Sequence, residues 1–185
     1  MAQSETFLMK AARIHTYIGE GDVQYPEHDG LDPASMATAV GWKPLGYTSK
    51  ETPFAITAEG GETTTLDTAE EDAVVPIAAA VSRAIDIKAH QFDAETLDLA
   101  YNGTYDAESK TYKVPTTSQP LVKRLLVVVS AHNGKRYGFG ARCAITVGEE
   151  PTVSFEALSQ IGLKATVLGD SGTSLTLIGI EKSGV

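Results

Sequence analysis

Apolar and polar positions alternate with a period of two along most of this chain, and that period predicts strands. Residues 83–92 are the clearest case. Ile85, Ile87 and Ala89 share one face, while Asp86, Lys88 and His90 share the other. Residues 121–131 carry an unbroken aliphatic centre, Leu125 to Val129, as a strand buried on both faces does. Asn133-Gly134 follows, a pair that closes tight hairpins because both residues tolerate positive φ. Residues 135–147 are therefore expected to return as the partner strand. Val153, Phe155, Ala157, Ile161, Leu163, Ala165 and Val167 keep one parity, which predicts a further strand, interrupted at Ser159 and bulged at Gly162. Gly169-Asp170-Ser171-Gly172 reads as a turn before a last strand over residues 175–180. Near the start, residues 7–18 are expected as a strand or short helix, with Ile14, Thr16 and Ile18 on one face. Residues 19–32, punctuated by Gly21, Pro26 and Asp29-Gly30 and closed by Pro33, read as loop. Residues 39–47 end in a short strand. One stretch carries a helical signature: Asp93 as N-cap, Ala94, Leu97 and Tyr101 on one side, and Asn102-Gly103 as the stop.

The pattern thins between residues 49 and 76. Phe54, Ile56 and Ala58 alternate with Ala55 and Thr57, Gly60-Gly61 can reverse the chain, and Thr63-Thr64-Thr65 favours extended backbone. A long hairpin turning at Gly60-Gly61 is expected, too poor in large apolar side chains to stand alone. No Lys or Arg occurs between Lys50 and Arg83, and residues 57–73 hold six acids: Glu59, Glu62, Asp67, Glu70, Glu71 and Asp72. Long polar excursions inside a domain are uncommon and usually functional. Basic groups able to receive this one are Lys123, Arg124, Lys135, Arg136 and Arg142.

Composition narrows the classes. The 185 residues suit one domain, and a net charge of −9 with a pI near 4.9 argues against adhesion to nucleic acid or acidic membranes. A single cysteine, Cys143, excludes an internal disulfide. The first residues lack a signal-peptide pattern, and no run approaches the length of a spanning helix, so a soluble protein of a reducing compartment is expected. Catalytic, cofactor and metal sites are all expected to be absent. Gly169-Asp170-Ser171-Gly172 matches the tetrapeptide around a serine-protease nucleophile and His132 lies upstream, but both sit in turn composition, without an orienting third group. His15, His28, His90 and His132 form no close ligand pairs with one another or with Cys143. Gly138-Phe139-Gly140 lacks the third glycine of a dinucleotide loop, and the acids of residues 57–73 lack the alternate spacing of a calcium loop.

Trp42-Lys43-Pro44-Leu45-Gly46-Tyr47-Thr48-Ser49 resembles the W-x-x-L-G-Y-T-S stretch of major tail tube proteins from long-tailed, non-contractile bacteriophages of the siphovirus type. As in that family, a long polar loop follows, then a strand ending in a polar-aromatic pair, then a helix with Glu95-Thr96-Leu97, closed here by Ala100-Tyr101-Asn102-Gly103. The match is clearest over residues 42–103. It implies a mainly β fold, a β-sandwich or partly closed barrel with one short flanking α-helix and a long inter-subunit loop, in a single domain spanning residues 1–185. It further implies hexameric rings stacked into a hollow tube for DNA passage, with no cofactor and no membrane. Partners would be the chain itself and the tail tip or baseplate, tape-measure and tail terminator proteins. The location would be the virion tail, after synthesis in the host bacterial cytoplasm. The N-terminal segment, residues 1–35, and the loop, about residues 49–76, would be assembly arms, with Glu59, Gly60, Gly61, Glu62, Asp67, Glu70, Glu71 and Asp72 reaching a neighbouring ring. Trp42, Leu45, Gly46, Tyr47 and Thr48 are the family-like motif. Asp86, Lys88 and His90 are candidates to face the lumen. This loop departs from the family in being rich in Thr and Glu and in lacking an anchoring aromatic. Two other readings remain open here: the tube of a related contractile-injection or secretion system, and a monomeric β-barrel binding module. A hydrolase built on Ser171 comes last.

Overall fold

A computed structural model describes residues 10–66 and 75–180. Twelve strands and two short helices order this part of the chain: β1 (Ala11–Gly19), α1 (Pro33–Ala37), β2 (Trp42–Pro44), β3 (Phe54–Gly60), β4 (Thr63–Leu66), β5 (Val75–Ala78), β6 (Val81–Ala89), α2 (Ala94–Tyr101), β7 (Thr104–Asp106), β8 (Thr111–Lys113), β9 (Leu121–Ala131), β10 (Arg136–Thr152), β11 (Gln160–Leu168) and β12 (Thr176–Ile178). One antiparallel sheet carries the fold, in the order β2-β1-β9-β10-β11-β6-β3, with β12 beside the first half of β10. The expected mainly β architecture is thus observed, with α2 as the flanking helix.

Alternation builds the core. On one face, Leu125, Val127 and Val129 of β9 meet Ala141, Cys143 and Ile145 of β10, Ile161, Leu163 and Ala165 of β11, and Ile85, Ile87 and Ala89 of β6; α2 adds Leu99, Ala100 and Tyr101. The opposite face of β1 and β9 is covered by a smaller cluster, in which Tyr17, Leu126 and Val128 pack against Leu31, Met36 and Trp42. This double cover explains the unbroken aliphatic run at Leu125 to Val129, whose members are all 0–2% exposed.

A strap curls the sheet. Residue 44 lies on β2, at one end of the strand order, and Thr48 bridges to Ala89 of β6, near the other end. Four residues of chain reach at most about 14 Å, whereas six strand spacings in a flat sheet would separate those ends by about 29 Å. The sheet therefore wraps into a partly closed barrel around the larger core, with Leu45 of the strap buried inside it.

Several expectations change. The hairpin does not turn at Gly60-Gly61. β3 pairs with β6, and β4 pairs with β5; residues 67–74 lie outside the described residues. Gly60 and Gly61, at φ 85° and 79°, instead link β3 to β4 within one long ribbon. A Cβ on Gly60 would lie 2.5 Å from the Ala80 carbonyl oxygen. The strand expected from Val153 begins only at Gln160: residues 153–159 form the tip between β10 and β11, and their apolar parity meets no facing layer. The bulge lies in β10, opposite Gly162, where the register slips on both sides of Glu149. Residues 19–32 contain a 3-10 turn at His28–Leu31, and α1 follows, started by the Asp32 side chain accepting from the Ala34 N–H at 3.1 Å. Asp93 caps α2 through the Thr96 N–H at 2.7 Å, but the buried side of α2 is Thr96, Leu99, Ala100 and Tyr101, with Leu97 only partly buried. The β7–β8 hairpin has no counterpart in the sequence reading.

Candidate functional site

The surfaces able to serve assembly follow from which parts of this sheet lack cover. Beyond Gly60 and Val81 the β3–β6 pair continues as the β4–β5 ribbon, joined by a hydrogen bond from the Ala79 N–H to the Glu62 carbonyl at 2.8 Å. Glu59 and Glu62 are exposed along it, as are Ile56, Ile77 and Val81. Asp67, Glu70, Glu71 and Asp72 lie outside the described residues, as do residues 1–9 of the N-terminal segment.

The Trp42–Thr48 motif is the strap itself. Trp42 is buried, donates from Nε1 to the Gln24 carbonyl at 3.2 Å and packs on Tyr25. Leu45 donates its N–H to the Thr16 carbonyl at 2.8 Å, and the Tyr47 carbonyl accepts from the His90 N–H at 2.9 Å. Gly46 sits at φ 92°, a backbone conformation that strains any L side chain, and the Gln91 amide fills the place a Cβ would take. Lys43 joins Glu20 at 2.9 Å to Glu95 at 3.9 Å and holds the Glu20 carboxyl below its ordinary range. The side chains of Tyr47 and Val40 are exposed.

Asp86 and Lys88 lie on the sheet face opposite the larger core. One cross-strand row there reads Ala55, Asp86, Lys164, Thr146, and the next reads Thr57, Ala84, Thr166, Ala144. This is a surface of small and polar side chains. Lys88 pairs with Glu149 at 3.3 Å, and His90 Nδ1 lies 3.0 Å from the Ser159 carbonyl, so two of the three residues brace the β10–β11 hairpin.

The basic residues divide. Arg124 is 8% exposed, bonds Asp170 at 2.8 Å and lies over the Tyr25 ring. Arg136 bonds Asp32 at 2.7 Å. Lys123 is half-buried near Glu20, whose carboxyl it also stabilises. Lys135 is in the β9–β10 turn, where its N–H donates to Asn133 Oδ1. Arg142 is half-buried and has no ion pair among the described residues. The sequence reading missed the β10–β11 tip as a surface: Val153, Phe155 and Leu158 are exposed, Phe155 fully. Their parity matched a core strand, and nothing local marks where a strand loses its facing layer.

Groups whose types suggest chemistry have structural duties. Burial pushes the Cys143 thiol up to about 12, so it is no nucleophile at neutral pH. Asp170 holds Arg124, and Ser171, at φ 49°, is an exposed turn residue. No cluster of metal-ligating side chains occurs among the described residues, nor any helix long and apolar enough to cross a membrane.

A family model described as phage tail tube protein matches residues 1–179. No curated protein matches the chain. Among solved structures, the SPP1 tail tube, a hybrid structure from solid-state NMR and cryo-EM, aligns with a TM-score of 0.48 and 11% identity over 92% of this chain and 78% of that one.

Proposed function

The chain belongs to the phage tail tube protein family, a structural family of the virion tail, and from that premise we propose that its copies form hexameric rings stacked into a hollow tube through which DNA passes. The observation that carries the proposal is the family match over nearly the whole chain. The uncovered parts of the sheet support it. Among the described residues β3 pairs only with β6, and the first half of β1 only with β9. Open edges of this kind must be paired or protected. Joining β3 of one copy to β1 of the next is a heterologous contact, which closes into a ring when the rotation allows. The row of Asp86, Lys164 and Thr146, with Lys88 beside it, then faces the lumen. Six copies at net −9 each present DNA with a tube that repels the phosphate backbone rather than trapping it.

In this reading the β4–β5 ribbon reaches the next ring, and the N-terminal segment, whose β1 lies in the subunit's own sheet, adds to the contact through its open edge. The ends of the tube meet the tail tip, tape-measure and terminator proteins of a non-contractile tail, and the subunit is made in the host cytoplasm. No step of this function needs covalent chemistry. Negative-stain microscopy of the purified protein, alone or with an initiating tail-tip complex, should show stacked rings; homogeneous monomers at high concentration under both conditions would refute the proposal. Replacing residues 63–78 by Asn-Gly should leave a folded subunit, by circular dichroism, whose rings no longer stack. Tubes of normal length from that variant would remove the ribbon from the contact.

A further inference from the structure

Arginines converge on the turn between β11 and β12. Arg124 Nη2 bonds Asp170 at 2.8 Å, and Arg83 Nη1 donates to Ser174 Oγ at 3.2 Å. Arg142 lines the same corner, in a cavity of about 290 Å3 whose walls include Tyr25, Arg124, Asp170, Ser171, Thr173 and Ser174. Arg124 and Arg142 stand directly opposite each other in the β9–β10 register, a placement that like charges make unfavourable. Among the described residues one carboxylate, that of Asp170, touches the pair closely; Asp22 is 4.0 Å from Arg124, with its side chain 92% exposed. Arg124 Nε is buried without a well-formed hydrogen bond, as is the Tyr25 hydroxyl that interacts with the same guanidinium, and buried polar groups of this kind are ordinarily satisfied. A chain of net charge −9 thus keeps a surplus of positive charge in one hydroxyl-lined cavity.

We propose that this cavity is an oxyanion site, filled in the assembled tube by a carboxylate from a neighbouring copy. Guanidinium groups recognise planar carboxylates through paired N–H donors, and the hydroxyls of Ser171, Thr173 and Ser174 add further donors. A carboxylate is the available oxyanion, because the chain has 24 acids against 15 bases, and exposed acids such as Glu59 and Glu62 accompany every added copy. The source of the anion rests on the tube reading; the site itself does not.

The test uses inorganic phosphate as the probe on the full chain at a concentration below that of assembly. Calorimetry, with the arginine Nε–H signals followed by NMR, should show saturable binding, at least tenfold weaker in Arg142→Gln. Arg142 is half-exposed, and its variant should keep the wild-type circular dichroism and Tm. Phosphate should also slow tube growth and fail to bind finished tubes. No saturable response in the wild type, or equal binding by the variant, would overturn the site. Phosphate that binds subunits and tubes alike without slowing growth would overturn the neighbouring carboxylate as its occupant. Whether wild-type tubes form at all is read separately by microscopy, so failure of the tube reading shows up independently.

Discussion

The β9–β10 hairpin and the β4–β5 ribbon are built from the same ladder of antiparallel hydrogen bonds, yet they differ in what lies on them. β9 buries Leu125 to Val129 between two clusters, and its partner adds Ala141, Cys143 and Ile145. The ribbon has four registered pairs, and its Thr63, Thr64, Thr65, Pro76, Ile77 and Ala78 are exposed. Backbone pairing alone contributes little net stability, because water competes for every bond; side-chain burial decides which pairing stands by itself. The first hairpin is the body of the subunit. The second is exposed ribbon with no such burial beneath it.

Truncation of the two regions should separate them most sharply. Leu125→Ala removes a fully buried side chain and should cost about 2–5 kcal/mol, read as a lower midpoint in urea. Thr64→Ala on the ribbon should stay within about 0.5 kcal/mol in the same measurement. Similar midpoints for the two variants would mean that the ribbon shares the core. Next in size is Asp170→Asn, which takes the close counter-charge from Arg124. Asp170 is partly exposed, so the loss should be about 1–3 kcal/mol rather than that of a fully buried pair. It should fall on thermal stability of the body and spare the folded signature of the ribbon variant. The smallest effect is a labelling rate. With its pKa raised from the ordinary 9 to about 12, the Cys143 thiol is almost wholly protonated below pH 10, as well as buried. Alkylation at pH 8 should therefore follow global unfolding alone and proceed equally in wild type and in the ribbon replacement. Faster labelling in the replacement would show that the ribbon protects the core.

Much of the body was legible because its signals are local. Ile85, Ile87 and Ala89 alternate as a strand must when one face is buried, Asn133-Gly134 closes its hairpin, and Asp93 and Asn102 bound α2 by capping chemistry. Asp32-Pro33 carried the same capping signal for α1, in a stretch read as loop. The exposed ribbon and the arginine corner were less legible. Gly60-Gly61 has the composition of a reversal, but β6 offers β3 a better partner than β4 does, and a glycine pair cannot announce which strand will lie beside it. Arg124, Arg136 and Arg142 looked alike as basic residues. The fold gave the first two aspartate partners, 46 residues along the chain in one case, and left the third in the cavity.

By itself, the sequence determined where β6, β9, β10 and the main helix form, that an acid-rich excursion interrupts the pattern, and, through residues 42–103, the resemblance to a tube family. These properties depend on neighbours within a few positions, where steric preference and side-chain period act. Only the tertiary structure decided that residues 42–49 strap the sheet into a partly closed barrel, that Phe155 stands in solvent despite its core-like parity, and that two arginines share a cavity with one close carboxylate. Those outcomes depend on which distant segments come together, and burial and charge are properties of that meeting rather than of any one stretch.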